Sequence, residues 1–263
     1  MTEIKTVSVG DMKVRVSGTG VPLILVHGYT TTCEFWREQV EEFSASYHVI
    51  RPNLPGHGIS PAPTTRDYTI DAFVEDLEEI FRHFSLPRAV LVGLSMGGVI
   101  AQQFALRNPQ LLQALVLVDT TPHGPEDVGV ENVLTAIDDR GIAIASQDIV
   151  THSFGSSASR DLVEWAKREV IQTPAFVARA AIASLNKYDA RLSLSRITAP
   201  TLVIVGSEDI VTPPAESRAL RDGIPNSTLV VIEQSGHFPM LERPVEFNRV
   251  LCDFLDQHAN HLT

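Results

Sequence analysis

Three short stretches of this chain carry residue types that together could perform nucleophilic acyl chemistry. Gly93-Leu94-Ser95-Met96-Gly97 encloses a serine between glycines, Gly206-Ser207-Glu208-Asp209 ends in two acids, and Gly236-His237-Phe238 sets a histidine beside a glycine. A serine hydroxyl is a poor nucleophile at neutral pH; it needs a base within hydrogen-bond reach, and that base needs an acid to hold its tautomer. Ser95 as nucleophile, His237 as general base and Asp209 as the orienting carboxylate meet that demand, and they follow one another as serine, acid, histidine.

A G-x-S-x-G match is weak by itself in a chain with 16 glycines, so its placement has to decide. Residues 89–94 are a continuous apolar strand run and residues 96–107 read as a helix, which puts the serine on a strand-to-helix turn. Such a turn strains the backbone of the serine; Gly93 and Gly97 leave room for it, and Gly98 lets the helix approach the sheet. The hydroxyl is then lifted to the helix N-terminus, where the Met96 amide can receive an oxyanion. The plain alternative is a serine that caps a helix among glycines.

His27-Gly28-Tyr29 follows the first buried strand, and the Tyr29 amide is the expected second oxyanion donor. His27 and His57 read mainly as histidines that fix turns by hydrogen bonds, with His27 also a candidate for the pocket wall. Asp209 has two rivals: Glu208 beside it, and Asp119, which ends another strand on the same edge and could instead shape the turn before Pro122. Among nine histidines only His237 lies in a glycine-flanked loop after a late strand. His258 and His261 look like tail residues, and His48, His83, His123 and His152 like surface or packing positions. Neither the histidines nor the acids show the helical or CxxC spacing of a metal site, and the chemistry above needs no cofactor.

The elements that must position these residues alternate along the chain. Residues 6–16 read as two short strands around Gly10-Asp11, and residues 22–26 as a strand buried on both faces. Phe35, Trp36, Val40 and Phe43 mark a helix over 33–43, followed by a strand at 47–51 and the turn-rich residues 52–58. Ile70, Phe73, Val74, Leu77, Ile80, Phe81 and Phe84 mark a helix over 70–84; the strand 89–94, the helix 96–107 and a strand at 114–119 come next. Residues 200–205 (strand), 214–220 (helix), 228–232 (strand) and 244–255 (helix) resume the pattern later. The α/β alternation predicts a mostly parallel, eight-stranded sheet with helices on both faces.

Residues 121–195 interrupt it with helical stretches broken by Gly124, Gly141, Gly155 and Pro174, read as a helical lid inserted after the sixth strand. The expected organisation is a core of residues 1–120 and 196–263 with a lid of residues 121–195. Phe154, Trp165, Phe176 and Ile182 of the lid, with Phe238 of the core, are the expected pocket lining; ordinary lid-to-core packing explains them equally well.

Composition bounds the rest. The 263 residues, 44% hydrophobic and 20% charged, suit one catalytic domain with a substantial core. Lysine and arginine total 21 against 32 acids, a formal charge of -11, which sets aside nucleic acid and anionic membranes as partners. Residues 1–16 lack the apolar core of a signal peptide and no apolar run reaches membrane-span length, so a cytoplasmic location is expected. Cys33 and Cys252 lie far apart and read as reduced thiols. Oligomeric state stays open.

From His27-Gly28 through Pro55-Gly56-His57-Gly58, the Ser95 elbow and Gly236-His237, the chain resembles the α/β-hydrolase superfamily over nearly its whole length. The resemblance implies that Ser95 is the nucleophile, His237 the base and Asp209, in a segment ending Thr212-Pro213, the acid. Asn53 stands where relatives often carry aspartate before Pro-Gly-His-Gly, a departure that concerns loop structure. The elbow Gly-Leu-Ser-Met-Gly-Gly and the segment Ala199-Pro200-Thr201 are similar to those of small bacterial esterases and enol-lactonases, including those acting on 3-oxoadipate enol-lactone. The expected partner is therefore a small ester or lactone, cleaved through an acyl-enzyme. Haloalkane dehalogenases and epoxide hydrolases carry aspartate where Ser95 stands. Hydrolases of ring-fission diketones often have a polar residue before the serine and tryptophan after the histidine, where this chain has Leu94 and Phe238; carbon–carbon cleavage is the alternative reaction, and a non-catalytic small-ligand receptor an alternative of another class.

Overall fold

The computed structural model describes residues 3–125 and 127–259, and the side chains of residues 127 and 128 are left out of the description. His261 and the ends of the expected chain-terminal segments lie outside the described residues.

The chain opens with the hairpin β1 (Ile4–Val9) and β2 (Met12–Ser17), then β3 (Val21–Val26). A 3-10 turn at Cys33–Trp36 leads into α1 (Arg37–Phe43), so the expected helix over 33–43 is tightened in its first turn, where the Thr32 side chain accepts from the Glu34 amide. There follow β4 (Tyr47–Asn53), α2 (Ile70–His83), β5 (Ala89–Leu94), α3 (Met96–Arg107) and β6 (Leu112–Val118). Four helices come next: α4 (Asp127–Arg140), α5 (Ile142–Ser153), α6 (Arg160–Glu169) and α7 (Ala175–Asn186). The chain closes with β7 (Thr201–Gly206), α8 (Pro214–Gly223), β8 (Ser227–Ile232), the short α9 (Pro239–Glu242) and α10 (Pro244–His258).

The strands form one eight-stranded sheet in the order β1-β2-β4-β3-β5-β6-β7-β8. β2 pairs antiparallel with β1 and β4, and the pairings from β4 through β3 and β5 to β8 are parallel. The central strands read as unbroken apolar runs because both faces are covered. Leu23, Leu25, Val90, Val92, Val116 and Ile204 pack in one cluster with Phe35, Trp36, Phe247 and Leu251, while Ile24, Val26, Leu91, Leu115 and Val203 pack in the other with Phe73, Leu77, Ile100 and Phe104. Alternate residues of one strand thus serve opposite layers.

The connection from β3 goes to β4 on one side, and the chain then crosses to β5 on the other, with Val26 paired to Gly93. Such a reversal opens a crevice beyond the carboxyl ends of the strands. Helices α4, α5 and α7, between β6 and β7, supply the far wall of that crevice together with Val170. No helix among the described residues is long and apolar enough to cross a membrane.

Candidate active site

Ser95 lies between β5 and α3 with φ 54° and ψ −118°, a conformation that an L-residue adopts only when its surroundings enforce it. Here β6 enforces it: the Ser95 amide donates to the Val118 carbonyl at 3.0 Å, and the Thr120 hydroxyl donates to the Ser95 carbonyl at 2.8 Å. Glycine is required on both sides. A Cβ at Gly93 would sit 2.3 Å from the Gly97 carbonyl oxygen, and one at Gly97 would sit 2.5 Å from that of His27. Met96 opens α3, so its N–H has no carbonyl four residues back to bond.

The turn after β3 comes equally close, since a Cβ on Gly28 would lie 3.1 Å from that of Ser95. His27 holds this turn. Its Nε2 accepts from the Leu54 amide at 3.0 Å, so Nδ1, 2.9 Å from the Gly28 carbonyl, carries the proton. His57 packs beside it, tilted by 52° with ring centroids 5.0 Å apart. Burial keeps both rings neutral, His27 down at about 3 and His57 at about 4. Asn53 has a comparable structural task, accepting the Cys33 amide at 3.0 Å.

At the other side of the sheet, the loops after β7 and β8 are bonded to each other. Ser207 N–H donates to Ile232 and Glu208 N–H to Ser235, at 2.9 and 2.8 Å, and a Cβ on Gly206 would meet the Gly236 carbonyl at 2.0 Å. This contact brings Asp209 to His237, with Nδ1 2.8 Å from Oδ2 and both side chains at most 5% exposed. Asp209 Oδ1 accepts the amides of Val211 and Thr212 at 2.8 and 3.2 Å, and Oδ2 also accepts the Thr212 hydroxyl at 2.7 Å. Burial pushes this carboxyl up, yet the facing imidazole and these hydrogen bonds outweigh it and hold Asp209 below the usual carboxylate range. With Nδ1 engaged, Nε2 is the imidazole nitrogen left for another partner. Glu208 is turned away, accepting the amide and hydroxyl of Ser156. Asp119 is wholly buried behind Asp209.

Ser95, Met96, Gly28, Tyr29 and His237 all line one cavity of about 470 Å³ between the sheet and the helices inserted after β6. Its far wall is largely aliphatic, with Val133, Ile149, Val150, Val170, Ile182 and Leu185. Polar groups gather at Glu216, whose carboxylate meets His123 Nε2 and the Thr121 hydroxyl, both at 3.1 Å.

Two of the expected wall residues, Ile182 and Phe238, line this cavity, whereas His27, Phe154, Trp165 and Phe176 do not. His27 is sealed beneath its turn. Phe154 packs behind Phe238 with tilted rings 5.0 Å apart between centroids, Trp165 packs on Phe35 and under the Arg37 guanidinium, and Phe176 is 43% exposed against Tyr68. The aromatic rings of the insertion cement its contact with the core, and smaller aliphatic residues face the cavity. The sequence carries a signal for those: Ser146, Ile149, Val150 and Ser153 follow helical spacing along one face of α5.

Asp119, Asp209 and His237 are the one group of potential metal ligands among the described residues, with ligating atoms within 4.8 Å of one another. They fit an ion poorly, because the Nδ1 to Oδ2 contact is already a hydrogen bond and the Asp209 oxygens are occupied by N–H and O–H donors. Cys33 and Cys252 are free thiols, and burial pushes Cys33 up to about 12, far from a reactive thiolate.

Comparison with known proteins agrees with this architecture. A family model described as alpha/beta hydrolase fold matches residues 21–244. The chain is 30% identical over 260 residues to a pimeloyl-[acyl-carrier protein] methyl ester esterase of Chromobacterium violaceum, covering 95% of this chain and 100% of that protein. It is 29% identical over 232 residues to 3-oxoadipate enol-lactonase 2 of Acinetobacter baylyi, covering 87% and 86%. The structure of a thermophilic esterase from Thermogutta terrifontis superposes with a TM-score of 0.85 at 29% identity, covering 98% and 100%.

Proposed function

Because the chain belongs to the alpha/beta hydrolase fold family, we propose that it is a serine hydrolase that cleaves a carboxylic ester or lactone, with Ser95, His237 and Asp209 as nucleophile, base and acid. Relatives named as esterases and an enol-lactonase support the hydrolytic reading. The observation that carries it is the His237–Asp209 hydrogen bond of 2.8 Å, which holds His237 in the wall of the cavity that the strained Ser95 also lines.

In this reading His237 Nε2 takes the hydroxyl proton as Ser95 Oγ attacks the substrate carbonyl carbon. The oxyanion is received by the amides of Tyr29 and Met96, and each such donor contributes roughly 3 kcal/mol to the transition state. The carbon–oxygen bond of the ester then breaks. The imidazolium returns its proton to the departing alkoxide, which leaves as an alcohol or, from a lactone, stays on the acyl chain. Water deprotonated by His237 attacks the acyl-enzyme, releasing the acid and restoring the serine. The insertion of residues 121–195 acts as a lid whose aliphatic wall suits a small to medium acyl group rather than a long lipid.

The test is turnover of p-nitrophenyl butyrate by the wild type, Ser95→Ala, His237→Ala and Asp209→Asn. Loss of three or more orders of magnitude in kcat in the first two is expected, with a smaller but large loss in the third. Turnover by Ser95→Ala equal to wild type would place the chemistry elsewhere, and no turnover by the wild type would favour a small-ligand receptor.

A further inference from the structure

Asp119 follows β6 directly, with its carboxyl wholly buried and its backbone held at φ 40°. Oδ1 accepts the Gly206 amide at 2.9 Å, which ties the end of β6 to the end of β7 and fixes the plane of the carboxyl. Oδ2 is met by no N–H or O–H donor among the described residues and faces the Asp209 carboxyl. Two buried carboxyls whose oxygens lie within 4.8 Å of a shared imidazole cannot both ionise cheaply.

The donors decide which one holds the charge. Asp209 receives two amides, a hydroxyl and the His237 ring, whereas Asp119 receives one amide. The negative charge of Glu242 works in the same direction, against a second anion at Asp119. An ionised Asp119 would leave one oxygen bare beside the Asp209 carboxylate. A protonated Asp119 instead turns that bare oxygen into a donor aimed at Asp209 and leaves no polar atom of the pair unmatched.

We propose that Asp119 is a positioning residue: its neutral carboxyl donates an Oδ2–H hydrogen bond to the Asp209 carboxylate, adding a fourth member behind the serine, histidine and acid. This rests on the reading of Ser95, His237 and Asp209 given above. Burial and the neighbouring Asp209 charge hold Asp119 well above the usual carboxylate range, in the same direction as the geometry. The proton has a mechanical use. It anchors the Asp209 carboxylate from behind, and it draws off part of the negative charge that faces the imidazole.

Asparagine can replace a neutral aspartic acid, accepting the Gly206 amide and donating to Asp209, whereas leucine removes both bonds. The experiment follows kcat/KM against pH for p-nitrophenyl butyrate in the wild type, Asp119→Asn and Asp119→Leu, with Ser95→Ala as background, and records the infrared difference spectrum between wild type and Asp119→Asn at neutral pH. Asp119→Leu is expected to lose about tenfold or more in kcat/KM and to move the acid limb of the profile upward, since the undamped carboxylate favours the protonated base. Asp119→Asn should recover most of that loss and return the limb to its wild-type position. The difference spectrum should contain a protonated carboxyl band of the wild type.

An acid limb displaced downward in Asp119→Asn would show that a negative charge had been removed and would overturn the proposal, as would a carboxylate band in place of the protonated one. An unmoved limb in Asp119→Leu would reduce Asp119 to a structural part. Should Asp119→Leu fail to fold, Asp119→Asn and the infrared band still decide. Undiminished turnover by Ser95→Ala would sink the hydrolase reading alone, because the infrared result does not depend on it.

Discussion

The backbone amide of His237 donates to the carbonyl of Ser153 at 2.7 Å, so the histidine loop hangs from the last residue of α5. The segment after α5 strengthens that attachment. Glu242 accepts the amides of Gly155, Gly236 and Phe238, and Ser157 donates to the Gln234 carbonyl at 2.8 Å. The inserted helices therefore hold His237 in place as well as walling the cavity.

This attachment makes Gly236 sensitive to a single methyl group. A Cβ there would lie 2.4 Å from both the Gly155 nitrogen and the Ser153 oxygen, and neither can move without dragging α5 or the loop. Gly236→Ala is expected to lower kcat about 100-fold for esters, because a displacement near 1 Å at a reacting group has that cost. Stopped-flow or steady-state assays beside a thermal melt check it; an unchanged kcat would mean that the histidine does not depend on its tether.

A pH-dependent stability follows from Asp119. Its folded-state value is raised above that of an unfolded aspartic acid, near 3.9. Such a group contributes its full stability below the unfolded value and loses it as pH rises toward the folded one. Asparagine does not titrate, so the Tm of Asp119→Asn minus that of the wild type should be small near pH 4 and grow toward pH 7, by about 2–4 °C per kcal/mol in a domain of this size. Differential scanning calorimetry across that range checks it, and a difference independent of pH would contradict the protonated carboxyl.

Much of this arrangement is legible before any coordinates. Residues 89–94 and 114–118 are unbroken apolar runs because helices cover both faces, and the serine between β5 and α3 announces itself by its glycines. The meeting of Asp209 with His237 follows from loops after late strands on one edge. Less accessible is the partnership of Asp119 with Asp209, because it depends on β6 lying beside β7, which is a fact of strand order rather than of local pattern. The cavity wall is only partly legible, for another reason. Large rings such as Trp165 and Phe154 suit a pocket by their size, but their area is buried against Phe35 and Phe238, which leaves the aliphatic face of α5 to the cavity.

That wall predicts chain-length selectivity. Ile182, on α7, is 6% exposed and lines the cavity, so Ile182→Trp should fill acyl space without touching the residues around Ser95. The ratio of kcat/KM for p-nitrophenyl hexanoate to that for the acetate is expected to fall about tenfold or more, as each methylene in such a pocket is worth that order. An unchanged ratio would place the acyl group elsewhere.

The central claim is that Ser95 forms the covalent intermediate. Treating the protein with diethyl p-nitrophenyl phosphate and mapping the adduct by peptide mass spectrometry tests it most directly. One diethylphosphoryl group on Ser95, gained in step with loss of esterase activity and not formed in Ser95→Ala, is the predicted result. Labelling at another residue with loss of activity, or full activity in a protein labelled at Ser95, would contradict it.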